Sequence, residues 1–312
     1  MRLSPHPVTL RQLQYVVAVA DRKSFRKAAD DCHVSQPSLS AQIQQAEEAL
    51  GILLFERDRR TVTLTAAGAE IVARARALLV AADDLVDTAR RFGDPFAGTL
   101  RLGVIPTIGP YLLPEIAPVL RERYPKLTFV WTEEKTSTLV QMLGQGALDG
   151  AIVALEADIG DRPHVVLGKD PFVFAAAPGH PLAGSRRPLK PEELEGERVL
   201  LLDDGHCFRD QALSFCSRAG AEEAGFRATS LATLTQMVAG GAGVTLLPNL
   251  AVPLENRRDA LRIRPFASRS PARTLALVWR RGSALESTLR PVGDTLRSAY
   301  TLLTERAQAA LR

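Results

Sequence analysis

The sequence contains little cysteine and no long apolar run. Three cysteines in 312 residues are too few for a disulfide-rich secreted domain and are typical of a protein kept in a reducing cytoplasm. No apolar stretch approaches the roughly 20 residues that a membrane-spanning helix needs. Residues 1–7 are not followed by the apolar segment of a signal peptide. We therefore expect a cytoplasmic protein without a membrane partner.

The composition is otherwise ordinary for a globular protein. Hydrophobic residues make up 46% and charged residues 24% of the chain, and 312 residues are enough for two or three domains. The net charge of +4 permits an anionic partner without identifying one. Cys207, Cys216 and His206 do not have the spacing of a zinc site and lack a fourth ligand, so we expect no metal and no other cofactor.

The N-terminal region has the pattern of a helix-turn-helix. Thr9, Ser24 and Ser35 each precede an apolar helical pattern and are predicted N-caps. A tight turn at 32–34 separates the second and third predicted helices. Pro37 falls in the first turn of the third helix, where its missing N–H costs little. This arrangement predicts a small helical DNA-binding domain.

The exposed face of the third predicted helix is polar but carries no charge. Serine and glutamine side chains can donate to and accept from base edges in the major groove. A solvated face of a helical domain is the alternative, but such faces are usually rich in lysine and glutamate. The next segment, 53–64, has the pattern of a hairpin whose tip carries Arg57, Arg59 and Arg60, three candidate contacts to DNA phosphates. The polar residues of the face are Gln36, Ser38, Ser40, Gln42 and Gln45.

A heptad pattern follows the hairpin. Small and apolar residues recur with spacings of 4, 3, 4, 3 and 4, which is the period of a coiled-coil seam. The pattern covers fewer than three heptads, so an amphipathic helix packed on its own chain is the alternative. The residues of this seam are Ile71, Ala75, Leu78, Ala82, Leu85 and Ala89.

The remainder of the chain alternates strand and helix patterns. Strands are predicted near 99–104, 128–131, 150–154, 171–177, 198–202, 244–247 and 273–280, with helices between most of them. This order predicts an α/β fold with mainly parallel sheets. Ligands of such folds bind at the carboxyl ends of strands. Residues 105–110 and 203–207 follow two predicted strands, so both are candidate site segments.

Two of the three cysteines lie in one short stretch, 203–216. Asp204 is a predicted cap for a helix in which Cys216 falls on the apolar face. Cys207 stands at the start of this helix beside His206 and Arg209, and a thiol in such a position is more ionised and more nucleophilic than usual. Nine helical residues span about 13.5 Å, whereas a disulfide needs Cα atoms within about 7 Å. Closing the bond would therefore break the helix, as in a redox switch; two unrelated structural cysteines are the alternative.

Long motifs give the chain a family resemblance. The redox stretch resembles that of the hydrogen-peroxide sensors among the LysR-type transcriptional regulators, and other motifs along the chain are similar to their winged helix-turn-helix and regulatory domains. The motifs are Gly205-His206-Cys207-x-Arg209-Asp210-Gln211-Ala212-x-x-Phe215-Cys216, Phe25-x-x-Ala28-Ala29, Val34-Ser35-Gln36-Pro37-Ser38-Leu39-Ser40, Leu54-Phe55-Glu56-Arg57, Val104-Ile105-Pro106-Thr107-x-Gly109-Pro110 and Gly243-Val244-Thr245-Leu246-Leu247-Pro248.

The resemblance implies three parts. These are a winged helix-turn-helix domain at 1–65, a linker and dimerisation helix at 66–95, and a two-lobed α/β regulatory domain at 96–312 that resembles periplasmic binding proteins. The chain of this last domain is expected to cross between lobes near 165–170 and 268–273. The implied base-contacting residues are Ser35, Gln36, Pro37, Ser38, Ser40 and Gln42.

The resemblance also implies a mechanism and partners. Hydrogen peroxide oxidises Cys207, Cys216 forms a disulfide with it, and Cys32 has no redox role. The implied partners are promoter DNA, RNA polymerase, further copies of the chain in a dimer or tetramer, and glutaredoxin or thioredoxin as reductant. The residues implied around the peroxide and the thiolate are Thr107, Thr136, His206, Arg209 and Asp210. Phe208 falls at a variable position of the motif, and we expect its bulk beside the thiol to tune access.

Three other functions compete with peroxide sensing. A LysR-type regulator could respond to a small organic effector in the cleft between the lobes, with incidental cysteines. A thiol peroxidase would use a reactive and a resolving cysteine, but a catalyst needs no DNA-binding domain, and we expect no enzyme. A two-lobed solute-binding protein needs neither that domain nor a cytoplasmic location. An effect of peroxide alone on DNA binding distinguishes the first alternative from peroxide sensing.

Overall fold

The computed structural model describes residues 6–57, 62–91, 94–185, 187–267 and 270–309. The chain forms two compact units, Met1–Arg90 and Arg91–Arg312. Within the described ranges, no helix combines the length and the apolarity that crossing a membrane requires.

The first unit contains the predicted helix-turn-helix and hairpin. Side-chain oxygens of Thr9, Ser24 and Ser35 accept backbone N–H groups at the starts of the three short helices, which confirms the predicted N-caps. The elements are α1 (Leu10–Arg22), α2 (Phe25–Asp31), α3 (Gln36–Leu50), β1 (Phe55–Arg57), β2 (Val62–Leu64) and α4 (Ala66–Arg91).

Helix α4 begins in close contact with the segment before β1. Thr65 Oγ1 accepts the N–H of Gly68 at 2.8 Å and donates to the carbonyl oxygen of Leu53 at 2.8 Å. A Cβ at Gly68 would collide with the carbonyl oxygen of Leu54, so only glycine allows this approach. The first turn of α4 is thereby anchored to the helix-turn-helix.

The second unit alternates strands and helices. Its strands are β3 (Gly98–Val104), β4 (Leu127–Glu133), β5 (Gly150–Ala154), β6 (His164–Ala176), β7 (Arg198–Leu202), β8 (Glu222–Ala228), β9 (Val244–Pro248), β10 (Arg262–Arg264) and β11 (Ala272–Trp279). Its α-helices are α5 (Gly109–Arg123), α6 (Thr136–Gly144), α7 (Cys207–Arg218), α8 (Leu231–Ala239), α9 (Val252–Glu255) and α10 (Glu286–Ala309).

One long strand joins two lobes. The strand order is β4-β3-β5-β11-β6-β9-β7-β8, with β10 paired to β6. The first part of β6 pairs with β11 up to Pro171, and its last part pairs with β9 from Phe172 onward. The two-lobed α/β fold is therefore confirmed. The first crossing lies at 171–172, just after the predicted range, and the second predicted crossing includes residues 268–269, which lie outside the described residues.

The prediction of mainly parallel sheets is wrong. Strand β3 runs parallel to β4 and β5, and β7 runs parallel to β8 and β9. Strands β6 and β11 instead pair antiparallel with all their neighbours. These two strands lie where the lobes meet, and both run opposite to the strands that they pair with. The result is a mixed sheet.

Candidate redox site and nucleic-acid interface

A turn after β7 positions the first cysteine. Gly205 adopts a φ of 86°, a left-handed conformation that glycine tolerates, and α7 then starts at Cys207 with His206 at the N-cap. The predicted capping by Asp204 is wrong. Its carboxylate is instead bound by the guanidinium groups of Arg209, at 2.8 Å, and Arg227, at 2.9 Å. No side chain therefore caps the backbone N–H groups in the first turn of α7.

The two cysteines differ sharply in environment. Both are free thiols on one continuous helix; Cys207 is half-buried in the first turn, whereas Cys216 is buried in the hydrophobic core. Burial raises the pKa of the Cys216 thiol to about 12, so it is protonated at neutral pH. Phe215 packs edge-on against Phe266 with ring centroids 4.9 Å apart. The predicted apolar position of Cys216 is confirmed.

Four charged side chains tie the start of α7 to β8. Arg209 donates to Asp204 and, at 3.1 Å, to Glu223; Arg227 donates to Asp204 and, at 3.2 Å, to Glu223. We call Asp204, Arg209, Glu223 and Arg227 the ion-pair ring. Hydrogen bonding to Asp204 raises the pKa of Arg209 above its usual range. Because each guanidinium faces two carboxylates, the positive charge of Arg209 is largely neutralised within the ring.

His206 lies buried next to Cys207. Burial is the main cause that lowers the pKa of its imidazole, and the positive charge of Lys135 lowers it further. His206 is therefore neutral at pH 7 and offers a ring nitrogen for hydrogen bonding, not a charge. Asp210, in the same helical turn, is exposed to solvent.

Two buried threonines come from the other lobe. Thr107 follows β3 and Thr136 starts α6, and both are less than a tenth exposed. Arg273, fully buried on β11, donates to Thr107 Oγ1 at 2.6 Å and to the Thr107 carbonyl oxygen at 2.9 Å, and it pairs with Asp170 at 2.8 Å. Since Thr107 accepts from Arg273, its own O–H remains available to a ligand. Thr136 Oγ1 has no hydrogen-bond partner among the described residues.

Contacts between the lobes bring these threonines towards α7. Lys135, next to Thr136, donates from Nζ to the carbonyl oxygen of Asp204 at 2.6 Å. The guanidinium carbon of Arg273 lies 5.9 Å from the ring centroid of Phe208. Phe208 is fully buried and packs edge-on against Phe172 on β6, so it fastens the first turn of α7 to the crossing strand.

Sequence reasoning missed Asp170, Lys135 and Glu223, and it left the role of Arg273 open. Asp170 and Arg273 are 103 positions apart, and nothing in the chain between them indicates that they pair. The one local signal is an acidic residue inside a strand that is otherwise mostly apolar. Lys135 and Glu223 gave no signal, since isolated charges before a helix or on an edge strand are usually solvated.

The polar face of α3 is accessible for binding DNA. On its opposite side Leu39, Ile43 and Ala46 are buried, and Leu50 at the end of the helix is half-buried. Ser35, Gln36, Pro37 and Ser38 are exposed, and Ser40 and Gln42 are half-buried. Arg59 and Arg60 lie outside the described residues, and so does the side chain of Arg57.

The predicted seam of α4 divides into two parts. Ala75 is buried and Ile71 packs against the core of the helix-turn-helix within the same chain. Leu78 is 56% and Leu85 72% exposed. The beginning of the heptad pattern thus serves intrachain packing, and only its later part presents apolar side chains to solvent.

Comparison with known proteins identifies both units. Residues 10–69 match the bacterial regulatory helix-turn-helix family named after LysR, and residues 93–301 match the LysR substrate binding domain. The chain is 44% identical over 303 residues to a hydrogen peroxide-inducible genes activator of Dickeya chrysanthemi, covering 97% of this chain and 99% of the relative.

Solved structures of full-length relatives are also similar. A full-length OxyR variant from Pseudomonas aeruginosa superposes with a TM-score of 0.75 at 34% identity, covering 94% of this chain and 96% of the other. A hydrogen-peroxide-bound OxyR mutant from Corynebacterium glutamicum superposes with a TM-score of 0.67 at 34% identity, covering 98% and 96%. The chain therefore belongs to the LysR family of bacterial DNA-binding regulators, which are not enzymes, and within that family to the OxyR group.

Proposed function

We propose that this protein is a transcriptional activator that senses hydrogen peroxide by oxidation of Cys207 and disulfide formation with Cys216. One observation carries the proposal: the two thiols sit on one intact helix, about 13.5 Å apart along its axis, so they cannot bond without breaking it. The relatives support peroxide as the signal, since one is a hydrogen peroxide-inducible genes activator and an OxyR mutant of similar structure has hydrogen peroxide bound.

The first step is a two-electron oxidation of sulfur. The Cys207 thiolate attacks one oxygen of hydrogen peroxide, the O–O bond breaks, and Cys207 becomes a sulfenic acid. The leaving hydroxide takes a proton from solvent and becomes water. Thr107 and Thr136 are suited to hold the peroxide, because one has a hydroxyl proton free to donate and the other an unpaired buried hydroxyl. His206 adds a neutral ring nitrogen.

The second step joins the two sulfurs. The Cys216 thiol attacks the Cys207 sulfur, the S–S bond forms, the S–O bond breaks, and the hydroxyl group leaves as water with the thiol proton. Because Cys216 starts buried, it reaches Cys207 only after α7 unwinds. The bond then closes a ten-residue loop, a constraint of roughly 2.5–3 kcal/mol on chain-entropy arguments.

Unwinding α7 changes the regulatory unit. The ion-pair ring opens at Arg209, and the contact of Phe215 with Phe266 is lost. The surface of this lobe is thereby remodelled, and we propose that the arrangement of subunits and their contact with promoter DNA and RNA polymerase change with it. Glutaredoxin or thioredoxin would restore the thiols by exchange.

The parts of the chain are assigned accordingly. We propose that 1–65 binds DNA, that 66–95 dimerises, and that 96–312 senses peroxide, with two dimers forming a tetramer. A regulator of this kind works where the chromosome is, which in bacteria is the cytoplasm.

Footprinting on promoter DNA tests the proposal. DNA sites selected by the protein from a random pool are probed with reduced protein, with protein after a short peroxide pulse, and after reduction by thioredoxin. We expect peroxide to change the protected bases and thioredoxin to reverse the change. An identical footprint in all three states refutes peroxide sensing and leaves an organic effector in the interlobe cleft as the alternative.

The base-reading role of α3 has its own test. Gln36→Ala should weaken binding to the selected site by about 5- to 150-fold, the cost of losing a base contact of roughly 1–3 kcal/mol, while binding to random DNA changes little. The measurement is a pair of equilibrium titrations on the two DNAs.

A matched control lies on the same helix. Gln44 is exposed, donates to Glu48 at 3.0 Å, and lies about 12 Å further along the axis. Gln44→Ala should leave the ratio of the two affinities unchanged. Equal losses on both DNAs for Gln36→Ala would show that Gln36 does not read a base.

A further inference from the structure

The cations expected beside Cys207 are offset by burial or by carboxylates, although Nη1 of Arg209 is buried without a hydrogen-bond partner among the described residues. His206 is buried and neutral, and both arginines of the ion-pair ring face carboxylates. Arg273 is paired with Asp170. The other charged groups of this turn, Asp203 and Asp210, are carboxylates and oppose a neighbouring thiolate. A cationic side chain near this turn without a carboxylate partner therefore has to belong to another element.

Lys135 reaches the turn from the opposite lobe. Its ammonium donates to the carbonyl oxygen of Asp204 at 2.6 Å. Its side chain also lies across Gly205: a Cβ built there would be 3.2 Å from Lys135 Cδ and 3.5 Å from Nζ. Within the described ranges, no ion pair includes Lys135. Its ammonium is thus held at this turn without an ion-pair partner in the described contacts.

The positive charge of Lys135 interacts with other titratable groups of the turn. It contributes to lowering the pKa of His206 on one side and of Asp204 on the other. Cys207 comes two residues after Gly205, so their Cα atoms are within about 8 Å. The ammonium, held beside Gly205, is therefore only two residues from the thiol along the turn, and in partly buried surroundings Coulomb interactions are less screened than in water.

We propose that Lys135 is a positioning residue of the redox site, which holds the turn before α7 and supplies, from the other lobe, the positive charge that favours the Cys207 thiolate. This inference rests on the proposed function, since it concerns the same reacting sulfur. It also makes the reactivity of Cys207 depend on the contact between the lobes, because the cation and the thiol belong to different lobes.

The test measures how the reactivity of Cys207 depends on pH. Full-length protein carrying Cys32→Ser and Cys216→Ser is alkylated with iodoacetamide between pH 5 and 9, and the Cys207 peptide is quantified by mass spectrometry. Lys135→Met, which keeps an unbranched apolar side chain, should move the midpoint up by about 0.5–1 pH unit. That shift is a three- to tenfold loss of rate at pH values well below both midpoints, with equal rates well above them. Lys135→Arg should retain the parental midpoint.

Lys126→Met is the matched control. Lys126 precedes β4 and Lys135 follows it, so the two lie roughly 30 Å apart along one strand, and removing the same charge there should leave the profile unchanged. The proposal is overturned if Lys135→Met and Lys126→Met give the same profile, or if Lys135→Met lowers the rate equally at every pH.

This assay uses neither peroxide nor DNA. A moved midpoint with an unchanged footprint therefore refutes the proposed function alone. An unmoved midpoint with a peroxide-dependent footprint refutes only the role of Lys135.

Discussion

Cys207→Ser should abolish the response to peroxide completely, whereas Cys216→Ser should stop the reaction at the sulfenic acid of Cys207. Without the Cys207 sulfur only the thiols of Cys216 and Cys32 remain, and burial raises the pKa of both, so the footprint should not change. Without Cys216 the sulfenic acid still forms but finds no thiol, so it should accumulate without a disulfide and α7 should stay helical. Peptide mass mapping with a sulfenic-acid trap, after a brief and low peroxide pulse, distinguishes these products before further oxidation occurs.

Cys32 is the control for this experiment. It is half-buried at the end of α2, and burial raises the pKa of its thiol, so it is a weak nucleophile at neutral pH. Cys32→Ser should respond to peroxide like the parent. The mechanism is wrong if Cys207 remains a thiol while the footprint still changes, or if the disulfide partner proves to be Cys32.

Replacing both exposed leucines of α4 should dissociate the dimer. Leu78→Asp together with Leu85→Asp removes four apolar contacts from a two-fold interface and places four carboxylates there. Each buried leucine contributes about 1.5–3 kcal/mol, so the dissociation constant should rise by more than about ten thousandfold. Sedimentation velocity measures the change. Because both leucines are exposed in the single chain, the chain itself should fold as before.

The control places the same charges elsewhere on α4. Ala73 and Ala77 are exposed and lie outside the seam. Ala73→Asp with Ala77→Asp should assemble like the parent and protect a pseudo-palindromic site with half-sites about one or more helical turns apart. Assembly of the leucine double variant at parental strength would exclude this part of α4 from the interface.

The sequence predicted helix N-caps correctly where residues close in the chain decide the structure. Thr9, Ser24 and Ser35 cap their helices because the amides they accept lie three residues away, a distance that the chain itself sets. The predicted capping by Asp204 was wrong because residues distant in the sequence decide where its carboxylate binds. A nearby helix start favoured it as a cap, but two guanidinium groups compete for the same carboxylate, and a charge-assisted pair is the stronger interaction.

Charges at the redox site could not be assigned from the cysteine motif. His206 and Arg209 stand beside Cys207 in the sequence, which predicts two cations near the sulfur. Burial neutralises the first and the ion-pair ring occupies the second. Whether a neighbouring residue is charged, or free to act, depends on its dielectric surroundings and its partners, which come from other elements.

Residue order alone established the N-caps, the alternation of strands and helices, and the spacing that keeps Cys207 and Cys216 apart, since each of these depends on a few consecutive residues. Tertiary structure decided the antiparallel crossing strands, the pairing of Arg273 with Asp170 and the arrival of Lys135 at the turn before α7. These contacts join residues roughly 70 to 100 positions apart, and only the packing of two lobes brings such residues within hydrogen-bonding distance.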